Sequence, residues 1–138
     1  MVSKPRSLLL TAALAISGCI SAAEIDVWLA GNRVPVHNVL DAPLSTTQTE
    51  AQVGESIRRA ARIQGWGVEE MDQNVIYVTR RHSSHVATAA VLYDARAFSI
   101  QLRGSQSFKQ GEGRIHKLYN QWVRDLEATI QREVASTF

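Results

Sequence analysis

From Ala97 to Arg103 the side chains alternate without a break. Phe98, Ile100 and Leu102 fall on one side of an extended chain, and Ser99, Gln101 and Arg103 fall on the other. Successive side chains of a strand point to opposite faces, so this segment requires a sheet with one face buried and one face wet. The cover for the buried face is written further along. Ile115, Tyr119, Trp122, Leu126 and Ile130 step by four, three, four and four, an apolar stripe wide enough to lie on a sheet. Strand alternation followed by a helical stripe points to an α+β fold.

The segments before this strand fit the same scheme. Thr49 offers an N-cap, with Glu50 and Glu55 near the positive end of a helix dipole. Val53, Ile57, Ala60 and Ala61 recur at helical spacing, Arg58, Arg59 and Arg62 face out, and Gly65 closes the helix. Trp66 to Met71, Val75 to Arg81 and His85 to Tyr93 read as strands, with Asp72-Gln73-Asn74 and Asp94-Ala95-Arg96 as tight connections. Short connections imply an antiparallel meander. The spacing predicts three to four strands with two helices on one face, in the order α-β-β-β-β-α. The last helix is expected over Arg114 to Val134, after a polar, glycine-containing loop from Gly104 to Gly113.

The N-terminus has a different character. Lys4 and Arg6 precede the apolar run Leu8 to Ile16, and Ser17-Gly18-Cys19 follows. This is the pattern of a secretory signal peptide. Nine helical residues span only ~14 Å, about half a bilayer core, so the run is too short to be a transmembrane anchor. Ile16-Ser17-Gly18-Cys19 resembles the lipobox of bacterial lipoproteins, which implies cleavage before Cys19 and acylation of that residue. Several acyl chains give lasting membrane attachment, and acylation would use the one cysteine of the chain. Ile20, in place of an aspartate after the cysteine, favours the outer membrane by the same resemblance. The alternative is plain secretion to the periplasm or beyond, with cleavage after Ser21-Ala22-Ala23. The expected organisation is a signal peptide over 1–18, a lipidated Cys19 and tether over 19–50, and one compact domain over 51–136. Within the tether, Val34-Pro35-Val36-His37-Asn38-Val39 alternates in β-friendly residues and reads as an edge strand or an extended segment lying on the domain, because proline cannot donate to a ladder.

Removal of residues 1–18 leaves thirteen basic and thirteen acidic residues, so the mature chain carries no basic excess. A neutral domain lacks the electrostatic footprint of a nucleic-acid binder, and none is expected as a partner. The expected partners are membrane lipid, through acylated Cys19, and an envelope protein.

Chemistry is sparsely marked. His82 and His85 lie three apart, which on one strand puts them on opposite faces, with His37 elsewhere and no cysteine left as co-ligand. No metal and no cofactor is therefore expected beyond the covalent lipid. Glu69, Glu70 and Asp72 cluster by a turn and read as solvated charges. Ser105 and Ser107 precede His116, yet no acidic residue is placed to orient its imidazole, and no Gly-x-Ser-x-Gly elbow exists. No catalytic residue is assigned. The densest grouping is Ile115 to Trp122, where His116 and Asn120 are helix neighbours at a spacing of four. His85, Tyr93, His116, Tyr119 and Asn120 form the candidate site. They are either the lining of a small aromatic pocket or, for His116 and Asn120, staples that fix the 104–113 loop.

Gly65-Trp66, His85-x-Ala-x-Ala-x-Val-x-Tyr93, Phe98-Ser99-Ile100 and Ile115-His116-x-x-Tyr119-Asn120-x-Trp122 together resemble a family of small proteobacterial lipoproteins, over residues 34–134. The resemblance implies lipidation and a compact α+β domain, and brings no mechanism. Gly104-Ser105-Gln106-Ser107 departs from it, since the family tends to a tyrosine-adjacent double serine there. The resulting expectation is a lipoprotein on the periplasmic face of the outer membrane, acting as a non-catalytic binding or assembly module. A carrier or sensor of a small ligand and a small hydrolase are the alternatives.

Overall fold

A computed structural model describes residues 33–136, and the expected signal peptide and Cys19 lie outside them. The elements are β1 (Arg33–Pro35), β2 (Val39–Pro43), α1 (Glu50–Ile63), β3 (Trp66–Asp72), β4 (Val75–His82), β5 (His85–Tyr93), β6 (Ala97–Gln106), β7 (Arg114–His116) and α2 (Lys117–Ser136). The α+β architecture holds, with more strands than the spacing predicts. Five of them form an antiparallel sheet in the order β2-β6-β5-β4-β3, and β1 and β7 form a separate two-stranded ribbon.

Local chemistry sets the boundaries of α1. The Thr49 hydroxyl accepts from the Gln52 amide at 3.1 Å, and the Gln52 side chain accepts from the Thr49 amide at 3.0 Å, a reciprocal capping box. Gly65, at φ 83°, takes the left-handed conformation that releases the chain into β3. The hairpins turn at Asn74 and Ser83, both at φ 57°. At the β5–β6 turn the Asp94 carboxylate accepts from the Arg96 and Ala97 amides at 2.7 and 2.9 Å. Those two bonds stabilise its charged form and hold its pKa down.

Both helices cover one face of the sheet. Ile76 and Val78 of β4, Ala87, Ala89 and Val91 of β5, and Phe98 and Ile100 of β6 are buried in one core with Val53, Ile57, Ala60 and Ala61 of α1 and Val123, Leu126 and Ile130 of α2. The alanines of β5 let the helix layer approach closely, and larger side chains fill the flanks. Gln64 Nε2 donates to Thr129 Oγ1 at 2.8 Å, and Arg59 meets Glu133 at 3.2 Å, fastening α1 to α2. The face away from the helices carries Tyr77, Thr79, Thr88, Ala90, Leu92, Ser99, Gln101 and Arg103, with Thr79 and Thr88 joined at 2.9 Å.

Three expectations need correction. Residues 33–43 pack with the domain that was expected to start at residue 51, because β2 is the edge strand beside β6 and β1 pairs with β7. The stretch between β2 and α1 is packed as well, with Gln48 donating to the Val134 carbonyl at 2.6 Å near the C-terminus of α2. The 104–113 loop is shorter than expected, because β6 continues to Gln106 past a bulge opposite Thr88 and Ala89. Finally, α2 starts at Lys117 and not at Arg114, since Arg114, Ile115 and His116 pair with Pro35, Val34 and Arg33.

Candidate functional site

Where the β4–β5 hairpin, the β6–β7 connection and the start of α2 meet, six rings gather. Phe108 is at the centre and is 0% exposed. Its ring meets Trp122 at 5.1 Å, Tyr119 at 6.2 Å and His85 at 4.9 Å, all edge-to-face. Trp66 meets Trp122 at 6.1 Å in the same manner, and His116 lies 6.4 Å from His85. Edge-to-face packing sets the positive rim of one ring against the negative face of the next. The Arg80 guanidinium lies over the Trp122 ring, 4.6 Å from its centre. Burial disfavours the charge on Arg80, partly offset by the field of Asp125.

His116 is not a helical neighbour of Asn120. It ends β7, and its Nδ1 accepts from the Leu118 amide at 3.2 Å, as an N-cap side chain would. Its amide donates to the Phe108 carbonyl at 2.8 Å. Asn120 is 3% exposed, and its side-chain partners lie outside the 104–113 loop. Its side chain donates to the Pro35 carbonyl at 2.9 Å and accepts from the His37 amide at 2.9 Å. Asn120 is thus a staple, but for the segment joining β1 to β2. The Tyr119 hydroxyl is buried with no hydrogen-bond partner among the described residues, and burial pushes its pKa well up.

Tyr93 does not join this group. It ends the nine-residue β5 that His85 begins, roughly 26 Å away at about 3.3 Å per residue. There it packs on α1, where a Cβ added to Gly54 would come within 2.7 Å of the Tyr93 hydroxyl. The pocket expected from His85, Tyr93, His116, Tyr119 and Asn120 is therefore split between two ends of the sheet. Phe108 is the residue that sequence reasoning passed over, and a single large apolar side chain in a ten-residue polar run was its only signal.

The remaining polar groups take local roles. The hairpin turn brings His82 and His85 opposite one another, where spacing on one strand had separated them. No group of three or more histidine, cysteine or acidic residues able to hold a metal occurs among the described residues. Ser105 Oγ donates to Gln110 Oε1 at 2.6 Å, and neither it nor Ser107 bonds a histidine among the described residues. Glu69 lies 3.7 Å from Arg81, Asp72 accepts from the Gln73 amide at 2.7 Å, and His37 lies 3.9 Å from Glu127.

Burial, the nearby His85 and the charges of Lys117 and Lys109 all lower the pKa of His116. A histidine whose folded pKa is depressed binds protons more readily in the unfolded chain. Its contribution to stability is complete above about pH 6.5 and is lost as pH falls from there toward the folded pKa. The melting temperature is therefore expected to fall on acidification below about pH 6.5. His116→Gln, which retains an acceptor near the Leu118 amide, should flatten that slope, and melts at stepped pH check it.

Comparison with protein-family models, with curated proteins and with solved structures returns no match.

Proposed function

We infer that the chain is a lipid-anchored, non-catalytic binding or assembly module of the bacterial envelope, held by acylated Cys19 to the periplasmic face of the outer membrane. The observation that carries the binding role is the sheet face that the two described helices leave uncovered. Leu40 is 67% exposed and Leu92 is 36% exposed on this face. Both border a cleft of ≈ 310 Å³ that also takes in Asp41, Asp94, Ser99 and Gln101. Apolar side chains rimmed by polar ones are the usual composition of a protein contact. The anchor is supported by Ile16-Ser17-Gly18-Cys19 and the short apolar run before it. A carrier would need space between sheet and helices, and Phe108, Tyr119, Trp66 and Trp122 occupy that layer in mutual contact.

A photoreactive residue in place of Leu92 tests the binding role in cells. Its partial exposure keeps the cost of substitution below that of a core truncation. It is expected to cross-link one discrete envelope protein, while the same residue in place of Ile63, exposed on α1, does not. Equal products from both positions, or none from Leu92, would contradict the reading.

A further inference from the structure

The charge of the described residues is unevenly placed. Residues 33–136 carry thirteen basic and eleven acidic side chains, yet five of the basic ones gather around the start of α2. Arg33 on β1 lies opposite His116, and Arg114 lies opposite Pro35. Arg114 donates to the Arg33 carbonyl at 2.6 Å, and Arg33 donates to the Gly111 carbonyl at 2.8 Å. Lys117 and Arg124 border the same cleft of ≈ 430 Å³ as His116, and Lys109 is close enough to His116 to oppose its protonation. Lys109, Arg114, Lys117 and Arg124 are exposed, and none pairs with a carboxylate among the described residues. Glu112 is the one acidic residue between Lys109 and Arg124.

Arg33 and Arg114 tie the ribbon, whereas the side chains of Lys109, Lys117 and Arg124 make no bond to the fold among the described residues. Lys117 is the first residue of α2, where the helix dipole is positive, and no acidic residue lies in that turn. Like charges gathered at such a position favour an anionic neighbour. Lys117 and Arg124, seven residues apart, are separated by about 10 Å along the helix, and Arg33, Lys109 and Arg114 extend the set across the ribbon. That spread suits a broad anionic surface better than a single small anion. The chain also enters the described residues inside this patch, at Arg33. The fourteen positions from Cys19 to Arg33 reach at most about 50 Å, so an anchor at Cys19 keeps the patch within reach of the lipid.

We propose that the basic end formed by Arg33, Lys109, Arg114, Lys117 and Arg124 is a docking surface for anionic phospholipid, which lays the domain on the membrane with the start of α2 toward the headgroups. The setting rests on the lipid-anchor reading, and the surface chemistry is separable from it. Juxtamembrane cations attract anionic headgroups, and each one removed weakens binding roughly fivefold at moderate salt.

The test uses the full chain carrying Cys19→Ser, so that no acyl chain contributes. Partition is measured onto phosphatidylcholine vesicles and onto the same vesicles with added phosphatidylglycerol, and the ratio of the two is the readout. The apolar N-terminal run contributes to both partitions in every variant. Lys109→Gln, Lys117→Gln and Arg124→Gln together are expected to lower the ratio roughly a hundredfold. Arg96→Gln and Arg132→Gln, exposed cations at the β5–β6 turn and toward the C-terminal end of α2, should leave it nearly unchanged. A ratio unmoved by the first set, or lowered equally per charge by the second, overturns the proposal. Failure of the anchor reading registers elsewhere, as the absence of acylation on the unsubstituted chain.

Discussion

Trp122→Ala is expected to lower the unfolding free energy by about 3–5 kcal/mol, the usual range for truncating a buried large aromatic. Trp122 is 4% exposed and joins three parts of the molecule. It meets Trp66 at the start of β3, Phe108 in the β6–β7 connection and the Arg80 guanidinium from β4. Truncation removes the ring contacts and leaves the half-buried Arg80 charge without its π-face. A domain of this size has roughly 5–15 kcal/mol in all, so thermal melts should show a large downward shift or no folded baseline. Phe108→Ala should act in the same range, since Phe108 is fully buried and meets three rings. A near-neutral Trp122→Ala would mean that the stripe of α2 is not packed on the sheet.

Asn120→Ala is expected to cost about 1–3 kcal/mol and to act locally. Its side chain satisfies both the Pro35 carbonyl and the His37 amide, and removal leaves two part-buried backbone groups that water can reach only in part. The ribbon of β1 and β7 is only three residue pairs long, and Asn120 bonds the chain where it leaves β1. Hydrogen exchange should therefore show the amides of Val36 and His37 opening well before those of the five-stranded sheet. Unchanged protection at both amides would contradict the role given to Asn120.

Legibility in the sequence followed the range of the interactions. The strands over 75–81, 85–93 and 97–103, helix α1 and its Thr49 cap were legible because alternation, helical spacing and caps are local. Residues 33–43 were legible only in part: an extended or edge-strand segment was readable from Val34, but not its division into β1 and β2, which pair with β7 and β6 more than fifty positions away. The start of α2 was misplaced for the same reason. Ile115 fits a helical stripe equally well, and only its pairing with Val34 makes it a strand residue. Of the candidate site residues, the structure brings His85, His116 and Tyr119 together around Phe108. Tyr93 was wrongly added, because sharing a face with His85 on one long strand says nothing about distance along it. Phe108 carried no periodic signal at all.

The central claim is the lipid anchor, and it rests on the four residues Ile16-Ser17-Gly18-Cys19. Metabolic labelling with a fatty-acid analogue tests it most directly, comparing the unsubstituted chain with Cys19→Ala in the same cells. The unsubstituted chain is expected to take up label and to yield a mature N-terminus at Cys19, while Cys19→Ala takes up none and remains unprocessed or soluble. Label retained on Cys19→Ala, or an unlabelled mature protein that begins at Glu24, would contradict it.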